Sequence, residues 1–103
     1  MSKYHAVRVE MDGIKFDSVK EAKRYKQLQL LERAGEIQNL RMQVPFILIK
    51  KSKYGRAIKY IADFVYEENG KTIVEDTKGY KTDVYKLKKR IMAEVHGIEI
   101  RET

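Results

Sequence analysis

A chain of 103 residues has room for one domain with a modest core, burying about 60–65% of its unfolded surface, so a partner copy would add stability. With 43% hydrophobic residues, one proline and no cysteine, it excludes a disordered chain, a disulfide framework and a thiolate zinc site. No apolar run reaches membrane length and no signal peptide is seen, so a reducing, cytoplasmic setting without membrane is expected. The net charge of +7, from 22 basic and 15 acidic side chains, points to a polyanionic partner.

Residues 1–17 are read as an N-terminal hairpin. Val7 and Val9 alternate with Arg8 and Glu10, and Asp12-Gly13 turns the chain into Ile14-Lys15-Phe16. Its expected job is to cover a sheet edge or the first helix. Ser18 to Ala34 then carries Val19, Ala22, Tyr25, Leu28 and Leu31 at helical spacing, closed by Gly35. Ser18-x-x-Glu21 is a capping box, in which Glu21 bonds back to the backbone of Ser18. A carboxylate there can equally face a pocket, so both roles stay open.

Leu40, Met42 and Val44 alternate with Arg41, Gln43 and Pro45, and Phe46 to Ile49 is continuously apolar. Pro45 lacks a ladder donor, which predicts an edge strand or a bulge. Lys50 to Lys59 is a basic tip without acids, and its Tyr54 offers a ring to an unpaired base, a role that a lone loop tyrosine seldom takes. Two strands follow, joined by Asn69-Gly70 in a primed two-residue turn. Strict alternation puts Tyr60, Ala62, Phe64 and Tyr66 on one face and Ile61, Asp63 and Val65 on the other. Val74, Asp76 and Lys78 share a face opposite Ile73, Glu75 and Thr77. Glu75 is expected to be solvated, and the Thr77 hydroxyl to face away from Asp76.

Thr82 caps a second helix whose buried stripe is expected to be Val84, Leu87, Ile91 and Val95, with Tyr85 and Met92 beside it. His96 is read as its C-terminal cap, and Ile98 to Ile100 as a last short strand. His5 and His96 are the only histidines and neither has a partner at ligand spacing, which argues against a histidine-metal centre.

Asp63, Asp76 and Lys78 break apolar rows, and burying such groups is costly unless they pair or bind a cation. Two carboxylates on adjacent arms suit a hard divalent cation, with Lys78 beside it. A plain ion pair between Asp63 and Lys78 is the simpler alternative. The wider string is more specific. Ser18 to Glu21, Gly35-Glu36-Ile37, Leu40, Gln43, Tyr60 to Tyr66, Val74 to Gly79 and Tyr85 to Lys88 together resemble the PD-(D/E)xK nuclease superfamily. The likeness is greatest to small phage-encoded endonucleases of the Holliday junction resolvase type. Ala62 stands where the superfamily has proline, a common departure.

The resemblance implies an α/β (mixed α+β) fold with a restriction-endonuclease-like core over residues 18–103. In it, a central mixed sheet has one helix before and one after the catalytic hairpin. It implies Asp63 and Asp76 as metal ligands, Glu21 as a third acid, Lys78 as the catalytic lysine and Mg²⁺ as cofactor, with Mn²⁺ able to substitute. Lys51, Lys53, Arg56, Lys81, Lys86, Lys88 and Lys89 are the expected nucleic-acid contacts. The implied activity is cleavage of branched DNA, as in phage recombination, by a homodimer in the bacterial host cytoplasm. A non-catalytic DNA-binding protein of the same fold and a restriction- or transposase-like nuclease on linear duplex are the alternatives.

Overall fold

Among the described residues, six strands and two helices run in the order β-hairpin, α, β, β, β, α, β. The computed structural model describes residues 8–78 and 80–103, so His5, Ala6, Val7 and Gly79 lie outside the described residues. β1 (Val9–Met11) and β2 (Ile14–Phe16) pair antiparallel, with Asp12 and Gly13 at φ of 54° and 77°, as a primed turn demands. This hairpin covers α1 (Val19–Arg33). The Phe16 ring lies 5.3 Å from that of Tyr25, and Asp12 pairs with Lys26 at 2.9 Å.

The main sheet has the order β3-β4-β5-β6, with β3 (Gln38–Ile49), β4 (Ile58–Glu68) and β5 (Lys71–Asp76) antiparallel. Pro45 therefore sits on an edge strand, where its missing N–H costs little. Asn69 and Gly70 turn β4 into β5 at φ of 52° and 76°. β6 (Ile100–Glu102) runs parallel to β5, and a parallel neighbour needs a crossover, which α2 (Asp83–Glu94) supplies. The last strand thus begins two residues later than the expected Ile98 start. This is a mixed α+β fold with two helices and a mixed four-stranded sheet. Among the described residues no helix is long and apolar enough to cross a membrane.

Each helix closes its own core. Tyr60, Ala62, Val65 and Val74 pack with Tyr85 and Met92 of α2, whereas Phe64 and Tyr66 pack with Leu28 of α1 and with Ile37. The expected single row from Tyr60 to Tyr66 is therefore wrong: it changes sides at Asp63. In β3, between the pairs Met42–Phe64 and Val44–Ala62, Gln43 takes φ of 51°. A left-handed residue inside a ladder rotates the strand about its axis, so the faces swap there.

The expected stripe on α2 also needs correction. Tyr85 and Met92 are buried, while Val84, Leu87 and Val95 are 62%, 59% and 70% exposed and Ile91 is half-buried. The orientation follows the partners on offer, since Tyr85 reaches both the Tyr60 ring and Glu102. In α1, Ala22 and Leu28 are buried but Val19 is exposed. His96 does not cap α2; its Nε2 lies 3.3 Å from the Leu48 carbonyl and ties the helix end to β3.

Candidate active site

The ladder between β4 and β5 ends at the pair Phe64–Glu75, one residue before Asp63 and Asp76 would face each other. Beyond it the Thr77 N–H donates to Asp63 Oδ2 at 2.9 Å. Asp76 is fully buried. The Tyr60 hydroxyl donates to its Oδ2 at 2.5 Å. Lys78 Nζ lies 3.3 Å from Oδ1, near enough to attract but off the hydrogen-bonding direction, so Oδ1 is buried without a donor. The ammonium thus goes to Asp76, in place of the Asp63 pair considered from sequence, and it stands 4.8 Å over the Tyr85 ring. Lys20 Nζ donates to the Lys78 carbonyl at 3.2 Å.

Glu21 reaches this place from the first turn of α1. Its N–H donates to Ser18 Oγ at 3.1 Å, which is one half of the expected capping box. Its carboxylate accepts from Gln43 Nε2 at 3.3 Å and is buried. The helix cap and the inward-facing acid are therefore served by different atoms of one residue.

Three carboxyls now crowd one ammonium. Burial first, then Asp76 and Glu21, push the Asp63 carboxyl up to about 7, against the pull of the Thr77 N–H. Burial, then Asp17 and Asp76, raise Glu21, and Lys78 opposes them. Such a cluster holds more negative charge than its single lysine offsets. Among the described residues, no three or more His, Cys, Asp or Glu side chains form a ready-made metal cluster. Mg²⁺ does not require one, because it keeps waters and takes one or two carboxylates from the protein.

Glu75 corrects the sequence reading most sharply, for it is not solvated but fully buried. Arg24 Nε and Nη2 hold its two oxygens at 2.6 and 2.9 Å, Tyr66 donates at 2.6 Å and Thr103 at 3.1 Å. Burial alone would raise its pKa, but Arg24 and then Tyr66 bring it below the usual carboxylate range. Arg24 lies three residues from Glu21 and Glu75 adjoins Asp76, so this fork sets α1 against β5 beside the acids. The Thr77 hydroxyl turns to Thr103, at 3.1 Å.

The expected basic contacts divide. Lys51, Lys53 and Arg56 are exposed between β3 and β4, with Lys53 over the Tyr54 ring and Tyr54 87% exposed. Lys86 is exposed on α2. Lys81 and Lys89 each lie 3.1 Å from Glu102, whose other oxygen accepts from Tyr85 at 2.7 Å; Tyr85 first, then these lysines, hold Glu102 down at about 2. Only Lys88 joins Lys78, in a cavity of about 290 Å³ that Lys59 and Tyr60 also line. Sequence reasoning gave no part in the metal site to Tyr60, Arg24 or Lys59, and expected Glu75 in water although it adjoins Asp76. Lys59 closed an acid-free basic run and Glu75 flanked the motif, both usable signals; the pairing of Tyr60 with Asp76 and of Arg24 with Glu75 had none.

A family model described as a protein of unknown function (DUF1064) matches residues 1–102. The chain belongs to the DUF1064 family. No curated protein and no solved structure matches it. In this DUF1064 chain the buried acids Glu21 and Asp76 and the partly buried Asp63 lie beside Lys78.

Proposed function

We propose that this chain is a Mg²⁺-dependent DNA endonuclease of the PD-(D/E)xK kind, built on a restriction-endonuclease-like core and cutting branched DNA such as four-way junctions. The observation that carries the reading is Asp76 Oδ1, a buried carboxylate oxygen without a donor, beside an Asp63 pushed up to about 7. Hard oxygen donors in that setting suit Mg²⁺ or Mn²⁺. Asp63 and Asp76 would hold it, with Glu21 as the third acid. When bound, the cation supplies neutralisation of charge developing on the phosphodiester and acidification of a bound water.

The chain's own residues do the rest. Tyr60 keeps Asp76 Oδ2 occupied and so leaves Oδ1 to face the reacting centre. Lys78 sets a positive charge at the same edge, suited to a phosphate oxygen or the attacking water. Lys51, Lys53 and Arg56 on the β3–β4 tip reach for backbone phosphates. Paired cuts across a junction call for a homodimer with two sites related by a twofold axis, acting in the cytoplasm of a bacterial host.

Cleavage of a labelled four-way junction, a flap and a linear duplex at varied Mg²⁺ tests this. Wild type is expected to cut the junction, and Asp63→Ala and Lys78→Ala to bind it without cutting. Preference for linear duplex turns the reading to a restriction-like nuclease. Equal binding with EDTA and with Asp76→Ala, and no cutting by wild type, leaves a DNA-binding protein only.

A further inference from the structure

Beyond the last β4–β5 pair, Lys59, Tyr60 and Ile61 of β4 line the cavity of about 290 Å³ together with Lys78, Thr82 and the start of α2. Lys59 enters from β4, Lys78 from two residues beyond the end of β5 and Lys88 from the second turn of α2. No acid lines it. Ile61 and Val84, both more than half exposed, form its apolar wall. Among the described residues neither Lys59 nor Lys88 has a carboxylate within ion-pair distance, unlike Lys81 and Lys89, which Glu102 engages.

Asp76 already engages Lys78, so the ammonium groups of Lys59 and Lys88 are the ones left at this opening without a carboxylate. A phosphodiester carries the negative charge they lack, and its sugar has the apolar surface that Ile61 and Val84 match. We propose that this cavity seats one backbone phosphate of the bound strand, adjacent to the phosphate being cut, with Lys59 and Lys88 as its cations. The position next to the cut rests on the nuclease reading; the phosphate seat itself rests on the cavity. Lys59 thereby becomes a substrate contact, and Lys81 and Lys89 drop out of that role.

The test measures binding of a four-way junction and of a single-stranded oligonucleotide in EDTA across a salt series. Neutralising one phosphate contact lowers the slope of log K against log salt by about 0.7–0.9. The double variant Lys59→Gln/Lys88→Gln is expected to lose about that much and each single glutamine variant a part of it, whereas Lys59→Arg and Lys88→Arg keep the wild-type slope. Lys81→Gln and Lys89→Gln are expected to stay at the wild-type slope as well. Matching thermal midpoints ensure that all variants are folded. An unchanged slope in the double variant Lys59→Gln/Lys88→Gln, or an equal loss in Lys81→Gln and Lys89→Gln, overturns the seat. Wild type that shows the expected pattern yet never cuts with Mg²⁺ sinks the nuclease reading and leaves the seat standing. Cutting with a flat pattern does the reverse.

Discussion

Tyr60 donates its hydroxyl to Oδ2 of Asp76 at 2.5 Å, and so determines which oxygen of that carboxylate is left for anything else. The Tyr60 ring is held independently, 6.4 Å from the rings of both Phe46 and Tyr85. Tyr60→Phe therefore removes one donor without disturbing the packing. It leaves a second buried acceptor unsatisfied, at about 1–3 kcal/mol of stability. If Asp76 holds a cation, losing the partner that orients it weakens binding about 10–100-fold. Mn²⁺ titration and urea unfolding in EDTA read the two effects. Unchanged Mn²⁺ affinity in a folded Tyr60→Phe would remove Tyr60 from the site.

Asp63 makes the metal-free protein sensitive to alkali. Its folded value of about 7 lies above the ordinary 3.8, so the folded state keeps a proton that the unfolded chain has released. The stability this adds is complete below pH 3.8 and lost as pH rises through 7. Glu21, also raised, acts in the same direction. Glu102 and Glu75, both lowered from 4.5, act only in more acidic solution, where stability falls as they protonate. Urea midpoints in EDTA should fall between pH 5 and 8, and Asp63→Asn should flatten much of that decline. A wild-type curve level across this range refutes the crowding of the acids.

The Arg24–Glu75 fork is a buried charge pair, and removing one partner strands the other. With the Arg24 side chain 22% exposed, Glu75→Leu or Arg24→Met should each cost about 2–4 kcal/mol. The double variant Arg24→Met/Glu75→Leu should recover most of the loss, because two apolar groups leave no charge behind. Urea unfolding of the four proteins completes the cycle. Additive losses would mean that the two residues act separately.

Helix α2 offers a direct contrast between its two faces. Met92 is fully buried, so Met92→Ala should cost about 2–4 kcal/mol through the lost contacts and the cavity left behind. Leu87 is 59% exposed, and Leu87→Ala should stay within about 0.5 kcal/mol. Thermal unfolding ranks them. The opposite order would restore the stripe expected from helical spacing.

Local chemistry determined most of the element list. Asp12-Gly13 and Asn69-Gly70 tolerate the left-handed backbone of two-residue turns, Ser18 and Thr82 accept from N–H groups one turn on, and Pro45 cannot donate from a central strand. These effects act within a few residues, so sequence reveals them. What only the tertiary structure decided lies between distant residues. The change of sides at Asp63, the burial of Glu75 under Arg24, the bond from Tyr60 to Asp76 and the loss of Lys81 and Lys89 to Glu102 join positions 13 to 51 residues apart, or depend on a rotation at Gln43. A side chain's pattern states its preference for water or for the interior. Which charged group meets it inside is decided only when helix and sheet pack, because the cost of burying a charge depends on the partner found there.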